Sequence, residues 1–269
     1  MKLQGIFLPI AVPFDHNGDL YPVKIQHNVE KWNRTGVSGY VVCGVESVYL
    51  ASDEKIRIWE WVAKYATAEK VLIAATGMPG VRETVALTNQ AESLGYKAAL
   101  VRTPRESPEA QRVYFRAVAD GAKIPIVIED DSGVEDGLGE IQHPNVVAVL
   151  ADSVRGAGGV AYLAESGAGV AESLAAGAAG AVLEIANAIP YAAISIWEAH
   201  RTRDTEAALD WQRRIARADE LIRSKYGVAG LKVAMDLNGY YGGPPRLPLT
   251  VLRPDQRREI EQAFDGIKG

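Results

Sequence analysis

The stretch GYVVCGVESVYLASDEKIRIWEWVAKYATAEKVLIAATG, residues 39–77, decides the fold class. It starts with an apolar run at 39–44 and ends with a second one at 70–76. Between them, Ser52 is a candidate N-cap, and Asp53 and Glu54 follow where acidic residues favour the first turn of a helix. Apolar residues then recur at the spacing of one helical face: Ile58, Trp61, Val62 and Tyr65. The stretch therefore predicts a strand–helix–strand unit with a right-handed crossover.

The same rhythm extends in both directions from this unit. Further near-continuous apolar runs, typical of strands buried on both faces of a parallel sheet, lie at 5–12, 98–102, 124–129, 145–151 and 180–185. Helices are predicted at 81–94, ending at the C′ glycine Gly95, and at 108–119. A closed eight-stranded barrel needs one more strand, which we place at 159–163.

After Pro190 the pattern becomes wholly helical. Residues 205–222 predict an amphipathic helix, and 254–264 predict a final one. The apolar face of the first consists of Ala208, Trp211, Ile215, Ala218 and Ile222. We therefore expect a barrel over 1–190, followed over 191–269 by the last barrel helix and a helical extension packed on the barrel.

Composition excludes several classes of protein. Of 269 residues, 48% are hydrophobic and 23% charged, which is ordinary for a globular protein. The net charge of −5 argues against a nucleic-acid surface and against binding to anionic membranes. The single cysteine, Cys43, allows no intrachain disulfide. The sequence contains neither a signal peptide nor a transmembrane segment by its pattern, so we expect a cytoplasmic protein.

Several motifs, taken in order, resemble one family. They are G-I-F…V-P-F-D at 5–15, C-G-V-E at 43–46, H-P-N at 143–145, G-A-A-G…N…P at 177–190, and Lys232 followed by G-G-P-P-R-L-P-L at 242–249. In this order they are similar to the dihydrodipicolinate synthase / N-acetylneuraminate lyase family. The resemblance implies a (β/α)8 TIM barrel with a C-terminal helical extension, a homo-oligomer (dimer or tetramer), and cleavage or condensation of 2-oxo acids through a lysine Schiff base.

The residues of that chemistry are missing from the matching positions. The family's lysine ends the strand after H-P-N, where this chain has Leu150. Glu129 replaces the family's proton-relay tyrosine, and Val134 replaces an arginine. The threonine pair that holds the substrate carboxylate becomes Cys43 and Gly44. Because leucine has no amine to attack a ketone, the matching strand predicts that the Schiff base is absent.

Two further features follow from the alignment of motifs. The chain is shorter than the family usually is on both sides of the Leu150 strand, so we expect trimmed barrel helices around 130–165. Lys97 and Lys123 precede strands and so belong to the face opposite the usual active site, while Lys232 matches a lysine of the family's extension. None of these lysines is a good replacement for the missing amine.

The predicted site lies at the carboxyl ends of the strands. Glu129 is the candidate catalytic acid or base; the alternative is a structural ion pair with Arg102 or Arg105. Arg102, the backbone at Cys43 and Gly44, and Glu184 are the candidate contacts to a small carboxylic acid ligand. Side chains that border this site but have a simpler role are Cys43, as a small buried residue, and Glu46, as a partner of loop amides.

No cofactor is required by this interpretation. A divalent cation bound by Glu129, Asp130, Asp131 and Asp152 is a weaker alternative, because no ligand spacing selects a metal.

Two functions stay open from the sequence. One is a lyase or aldolase that acts on a small oxo or hydroxy acid without a Schiff base and is not a true dihydrodipicolinate synthase. The other is a non-catalytic ligand-binding or assembly protein on the same fold. An open gap between Glu129 and Arg102 would favour the enzyme.

Overall fold

The eight predicted strands close into a parallel barrel. The computed structural model describes residues 2–102, 104, 106–130, 141–152 and 160–267. Each strand pairs in parallel with the next, and β8 pairs with β1, which confirms the predicted (β/α)8 architecture. The strands are β1 (Gly5–Ile10), β2 (Gly39–Val42), β3 (Val71–Ala75), β4 (Ala98–Arg102), β5 (Ile126–Glu129), β6 (Val146–Ala151), β7 (Ala161–Ala164) and β8 (Gly180–Val182).

Helices follow most strands and then form the extension. They are α1 (Pro22–Trp32), α2 (Ser52–Tyr65), α3 (Val81–Ser93), α4 (Pro108–Gly121), α5 (Val170–Ala175), α6 (Pro190–Arg201), α7 (Thr205–Glu220), α8 (Gly227–Leu237) and α9 (Pro254–Ala263). Single 3₁₀ turns lie at Ser47–Tyr49, Gly167–Gly169 and Glu184–Asn187. In the described part of the chain, no helix is long and apolar enough to cross a bilayer.

The strand that the sequence analysis predicted at 159–163 is β7, which begins two residues later, at Ala161. Of that range, residue 159 lies outside the described residues. Most of the stretches expected to be trimmed also do, because 131–140 and 153–159 are not described. The trimming and the division of the chain at residue 190 therefore stay predictions.

Helix α2 differs from its prediction in detail. Its N-cap is Ala51, and Ser52 is instead the first helical residue and donates a hydrogen bond to Glu83. The buried face is Lys55, Ile58, Trp59 and Val62, whereas Trp61 and Tyr65 are only half-buried. Both sets of residues fit helical spacing, and contact with β2 selects the first because Trp59 donates to the carbonyl of Val42.

Helix α7 also ends differently from the prediction over 205–222. It is regular only to Glu220 and continues as a π-helical segment, Leu221–Lys225, before α8 begins. Its buried face keeps Ala208, Ile215 and Ala218, but Gln212 is buried where the sequence suggested Trp211. Single turns of π-helix often occur at functional sites, and this one carries Arg223 towards the barrel.

Two separate apolar layers hold the barrel together. One lies between the strands and the helices. The other fills the barrel interior and includes Leu100, Val127, Leu150, Leu163 and Val182. Because side chains alternate along a strand, residues two positions after these ones also face inward, at the carboxyl end of the barrel. We call that end the mouth.

The seam between β8 and β1 depends on close backbone contact. Gly5 pairs with Gly180, and a Cβ at Gly180 would lie 2.3 Å from the Gly5 carbonyl oxygen. No other residue fits there without moving a strand, so this glycine allows the barrel to close.

Candidate active site

Leu150 faces the barrel interior at the mouth. It belongs to the interior cluster, is 2% exposed, and pairs in register with Glu129 on the neighbouring strand β5. Strand pairing thus places Leu150 and Glu129 side by side. A methyl-terminated side chain occupies this part of the mouth.

Glu129 and Arg102 form a direct ion pair. Arg102 ends β4, pairs in register with Glu129, and donates from Nε and Nη2 to the two carboxylate oxygens at 3.1 and 2.8 Å. The carboxylate is buried, whereas 41% of the Arg102 side chain is exposed. The sequence identified both partners, but no ligand-sized gap separates them. Arg105, the other predicted partner, lies outside the described residues.

Cys43 and Gly44 form a tight turn after β2. Cys43 has a φ of 66°, which is uncommon for a residue with a Cβ. Its side chain is fully buried between the strands and α2, and burial raises the pKa of the thiol. The predicted contact to a ligand can therefore come only from the backbone of this turn. The simpler interpretation of the side chain, a small buried residue, is confirmed.

Glu184 follows β8 and shares the mouth with a second carboxylate, Glu165, which follows β7. Burial raises the pKa of each to about 7, and Arg223 opposes the shift while neighbouring acidic groups add to it. Glu129 is among those neighbours for both, so the three carboxylates are close enough to influence one another. The sequence selected Glu184 but missed Glu165.

Arg223 is the cation that faces these acidic groups. Its two terminal nitrogens lie 2.8 Å from Asp152 Oδ1 and 3.3 Å from Glu165 Oε1. Asp219, one turn earlier, accepts from the backbone of Ala168 at 3.1 Å, and burial raises its pKa to about 6. Neither residue was predicted. The one available signal was Asp219, which lies four residues after Ile215 of the expected buried face.

Lys232 has the structural role that its motif suggested. It is 1% exposed, its Nζ lies 3.2 Å from Glu46 Oε1, and it donates to the carbonyls of Val12 and Gly242. Glu46 in turn accepts from the amide of Val12. This buried pair joins the loops after β1 and β2 to the extension. Lys97 and Lys123 precede β4 and β5, on the opposite face of the barrel, as predicted.

A buried lysine that the sequence did not single out lies near the mouth. Lys55 on α2 is 1% exposed and donates to Ser47 Oγ at 2.9 Å and to Met78 Sδ at 3.6 Å. Both of these partners are uncharged, and burial lowers the pKa of Lys55. The sequence of α2 did not indicate that Lys55 is buried, because a lysine after two acidic residues normally lies on an exposed face.

The predicted metal ligands do not converge in the part of the chain that the structure describes. There, no group of three or more His, Cys, Asp or Glu side chains is close enough to hold an ion. Asp152 instead pairs with Arg223, and Asp131 lies outside the described residues.

Comparison with known proteins supports the resemblance along nearly the whole chain. A profile of the dihydrodipicolinate synthetase family matches residues 2–135 and 157–266. A 4-hydroxy-tetrahydrodipicolinate synthase of Exiguobacterium sp. is 26% identical, covering 97% of both chains. A probable mitochondrial 4-hydroxy-2-oxoglutarate aldolase of Emericella nidulans is 28% identical, covering 97% of this chain and 94% of its own.

The fold has close counterparts among solved structures. A dihydrodipicolinate synthase from Bacillus anthracis superposes with a TM-score of 0.89 over 100% of both chains, at 22% identity. The stretch that the family profile leaves unmatched, 136–156, contains Leu150 and the whole of β6. The chain therefore keeps the family's architecture.

Proposed function

Because the chain belongs to the dihydrodipicolinate synthetase family, whose members are lyases, we propose that it cleaves or forms a bond in a small oxo or hydroxy acid without a lysine Schiff base. In this proposal the chain is not a true dihydrodipicolinate synthase. The observation that carries it is the inward-facing Leu150, beside Glu129, at the position of the family's amine.

Arg102 is proposed to bind the carboxylate of the ligand. Its guanidinium already holds one carboxylate through two parallel contacts, which is the geometry that a bound carboxylic acid would adopt. A ligand carboxylate that replaces Glu129 on Arg102 would free Glu129 for proton transfer. The backbone at Cys43 and Gly44 would provide a further polar contact, since strained turns of this kind are common at ligand sites.

Glu129 is proposed as the base for cleavage of a hydroxy acid. It would take the hydroxyl proton, the adjacent carbon–carbon bond would break, and its electron pair would pass to the oxo-acid fragment as an enolate. Glu184 would contact the bound acid from the neighbouring side of the mouth. No step in this scheme requires a cofactor, and a metal-assisted version would need ligands beyond the described residues.

A non-catalytic binding protein is the second candidate. The direct contact between Arg102 and Glu129 favours it, because a closed ion pair leaves no space for a ligand between the two side chains. The two candidates differ in whether a ligand displaces Glu129 from Arg102.

The first experiment is borohydride reduction in the presence of pyruvate and a panel of other 2-oxo acids, followed by peptide mapping. We expect no lysine adduct in the wild-type protein. The variant Leu150→Lys is expected to form one, because its amine would lie in the mouth. The matched control Leu150→Met has similar size and no amine. An adduct on Lys55 or on any other lysine of the wild-type chain would overturn the proposal.

The second experiment measures cleavage of a panel of 4-hydroxy-2-oxo acids by NMR. The proposal predicts turnover that is lost in Glu129→Gln. Binding of these acids without turnover, unchanged in Glu129→Gln, would instead support the non-catalytic candidate.

The expected homo-oligomer and the cytoplasmic location are part of the same proposal. Sedimentation velocity is expected to show a dimer or tetramer. A monomer at micromolar concentration would contradict that part.

A further inference from the structure

The side of the mouth formed by β7 and β8 holds more negative than positive charge. Glu165 and Glu184 follow adjacent paired strands, and each lies two residues after an inward-facing residue, Leu163 and Val182. Ala164 and Leu183, the residues between, belong to the outer apolar layer, and Leu183 keeps an extended backbone beyond β8, so the alternation continues and directs both carboxyl groups into the mouth.

One guanidinium faces these groups from the extension. Arg223 contacts Asp152 and Glu165 with its two terminal nitrogens and lies close enough to Glu184 and Asp219 to influence both. Both ends of its fork are thus already occupied. Burial raises the pKa of Glu165, Glu184 and Asp219, which share this one cation, so the cluster retains a proton near neutral pH.

Glu184 is the member of this cluster that is free to exchange that proton. Among the described residues its carboxylate has no ion pair within 4 Å and no hydrogen-bond donor, whereas Glu165 pairs with Arg223 and Asp219 accepts from the Ala168 amide. The groups that face Glu184 are Arg223 from the π-helical segment, Glu165 after β7, Asp219 on α7 and Glu129 on β5.

We infer that Glu184 is a second proton-transfer group of the mouth, and that Arg223 is a positioning residue that keeps it available by engaging Glu165 and Asp152. This inference rests on the proposed function. After Glu129 takes the hydroxyl proton and the carbon–carbon bond breaks, Glu184 in its protonated form gives its proton to the enolate carbon. It regains a proton from solvent, and Glu129 releases one, so the cycle is balanced without an oxidant or a metal.

The arrangement assigns separate tasks to the two sides of the mouth. Glu129 is held by Arg102 until a ligand carboxylate replaces it there, and it then accepts a proton, whereas Glu184 has no such contact and donates one. Because the two lie on β5 and β8, a ligand held between them would meet a base on one side and an acid on the other.

The first test observes the carboxyl groups directly. Protein labelled with ¹³C at the Glu side-chain carboxyl is titrated by NMR. We expect two resonances with midpoints near pH 7, from Glu165 and Glu184, of which one is absent in Glu184→Gln and both are retained in Glu172→Gln, an exposed control on α5. Arg223→Gln should move the midpoint of Glu184 upwards, and Arg223→Lys should largely restore it. Circular dichroism confirms that each variant folds.

The second test follows exchange of the methyl protons of pyruvate for deuterium in D₂O, which reports proton transfer to and from the enolate carbon. We expect Glu184→Gln to slow exchange at least tenfold and Glu172→Gln to leave it unchanged. Two results overturn the inference: a titration in which Glu184→Gln removes no midpoint above pH 6, or exchange in Glu184→Gln at the wild-type rate. Absence of both exchange and cleavage in the wild-type protein, with the titration intact, overturns the proposed function and with it the catalytic role of Glu184.

Discussion

Two cations of the extension, Lys232 and Arg223, contact carboxylates that follow barrel strands, and their surroundings differ. Lys232 forms a one-to-one pair with Glu46, both 1% exposed, and its remaining donors are used by backbone carbonyls. Arg223 lies among Asp152, Glu165 and neighbouring carboxyl groups, with 24% of its side chain exposed. The balanced pair fixes structure, whereas the unbalanced cluster leaves a proton available for chemistry.

The largest effect is expected from Lys232→Met. The change leaves the Glu46 carboxylate buried without its cation, and breaking such a pair costs about 3–5 kcal/mol of unfolding free energy. Denaturant unfolding at pH 7 measures the loss. The double variant Lys232→Met with Glu46→Gln should recover much of it, and a double variant as unstable as the single one would contradict the assignment.

Arg223→Met should cost less, about 1–3 kcal/mol at pH 8. The acidic groups around it can take up a proton instead of remaining ionised, and this limits the penalty. The same unfolding experiment repeated at pH 5 should give a smaller loss than at pH 8. An effect as large as that of Lys232→Met, and independent of pH, would show that the cluster is as rigidly balanced as the buried pair.

The effect of Glu184→Gln on the free energy of unfolding should depend on pH. In the wild-type protein the pKa of Glu184 is raised from 4.5 to about 7 by burial, so the folded state binds its proton more tightly than the unfolded state. Its contribution to stability is therefore present below pH 4.5 and is lost as pH rises through 7. The variant should gain, relative to wild type, on the order of 2 kcal/mol between pH 5 and pH 8.

The control for this effect is Glu172→Gln, which should show no such dependence because its side chain is exposed. Thermal unfolding followed at both pH values compares the two variants. A Glu184→Gln curve that runs parallel to wild type across this range would contradict the raised pKa.

The smallest effect is expected from a change that keeps the charge in the ion pair between Arg246 and Glu54. Each terminal nitrogen of Arg246 lies 2.7 Å from one carboxylate oxygen, and Arg246 also donates to the carbonyls of Gly18 and Tyr49. Arg246→Lys keeps the charge and loses the forked geometry, which should cost about 1 kcal/mol. Urea unfolding measures this loss of unfolding free energy. A loss equal to that of Lys232→Met would show that the Arg246–Glu54 ion pair matters as much as the buried pair.

The strands were predictable because a strand that is buried on both faces consists of a continuous run of apolar residues. The helices were predictable in place but not in orientation. On α2, Trp59 and Trp61 both belong to plausible apolar faces, and contact with β2 buries only the first completely. The eighth strand was blurred by glycine and alanine, since small residues fit strands, turns and helices with little difference in spacing.

The candidate site was predictable only where it lies on strand ends. Arg102, Glu129 and Leu150 lie near the ends of neighbouring strands, and the register of those strands brings them together. Glu165 was missed because β7 was placed too early, and Arg223 because it comes from a distant π-helical segment. Lys55 was missed because its burial depends on the loops after β2 and β3.

The sequence by itself determined the family and the order of strands and helices, because both depend on local residue patterns. Only the tertiary structure decided which charges are neutralised. Ion pairing depends on the approach of groups far apart in the chain, as with Arg223 and Asp152 or Lys232 and Glu46. Burial then raised the pKa of Glu184, because transfer of a carboxylate out of water without a dedicated cation favours its protonated form.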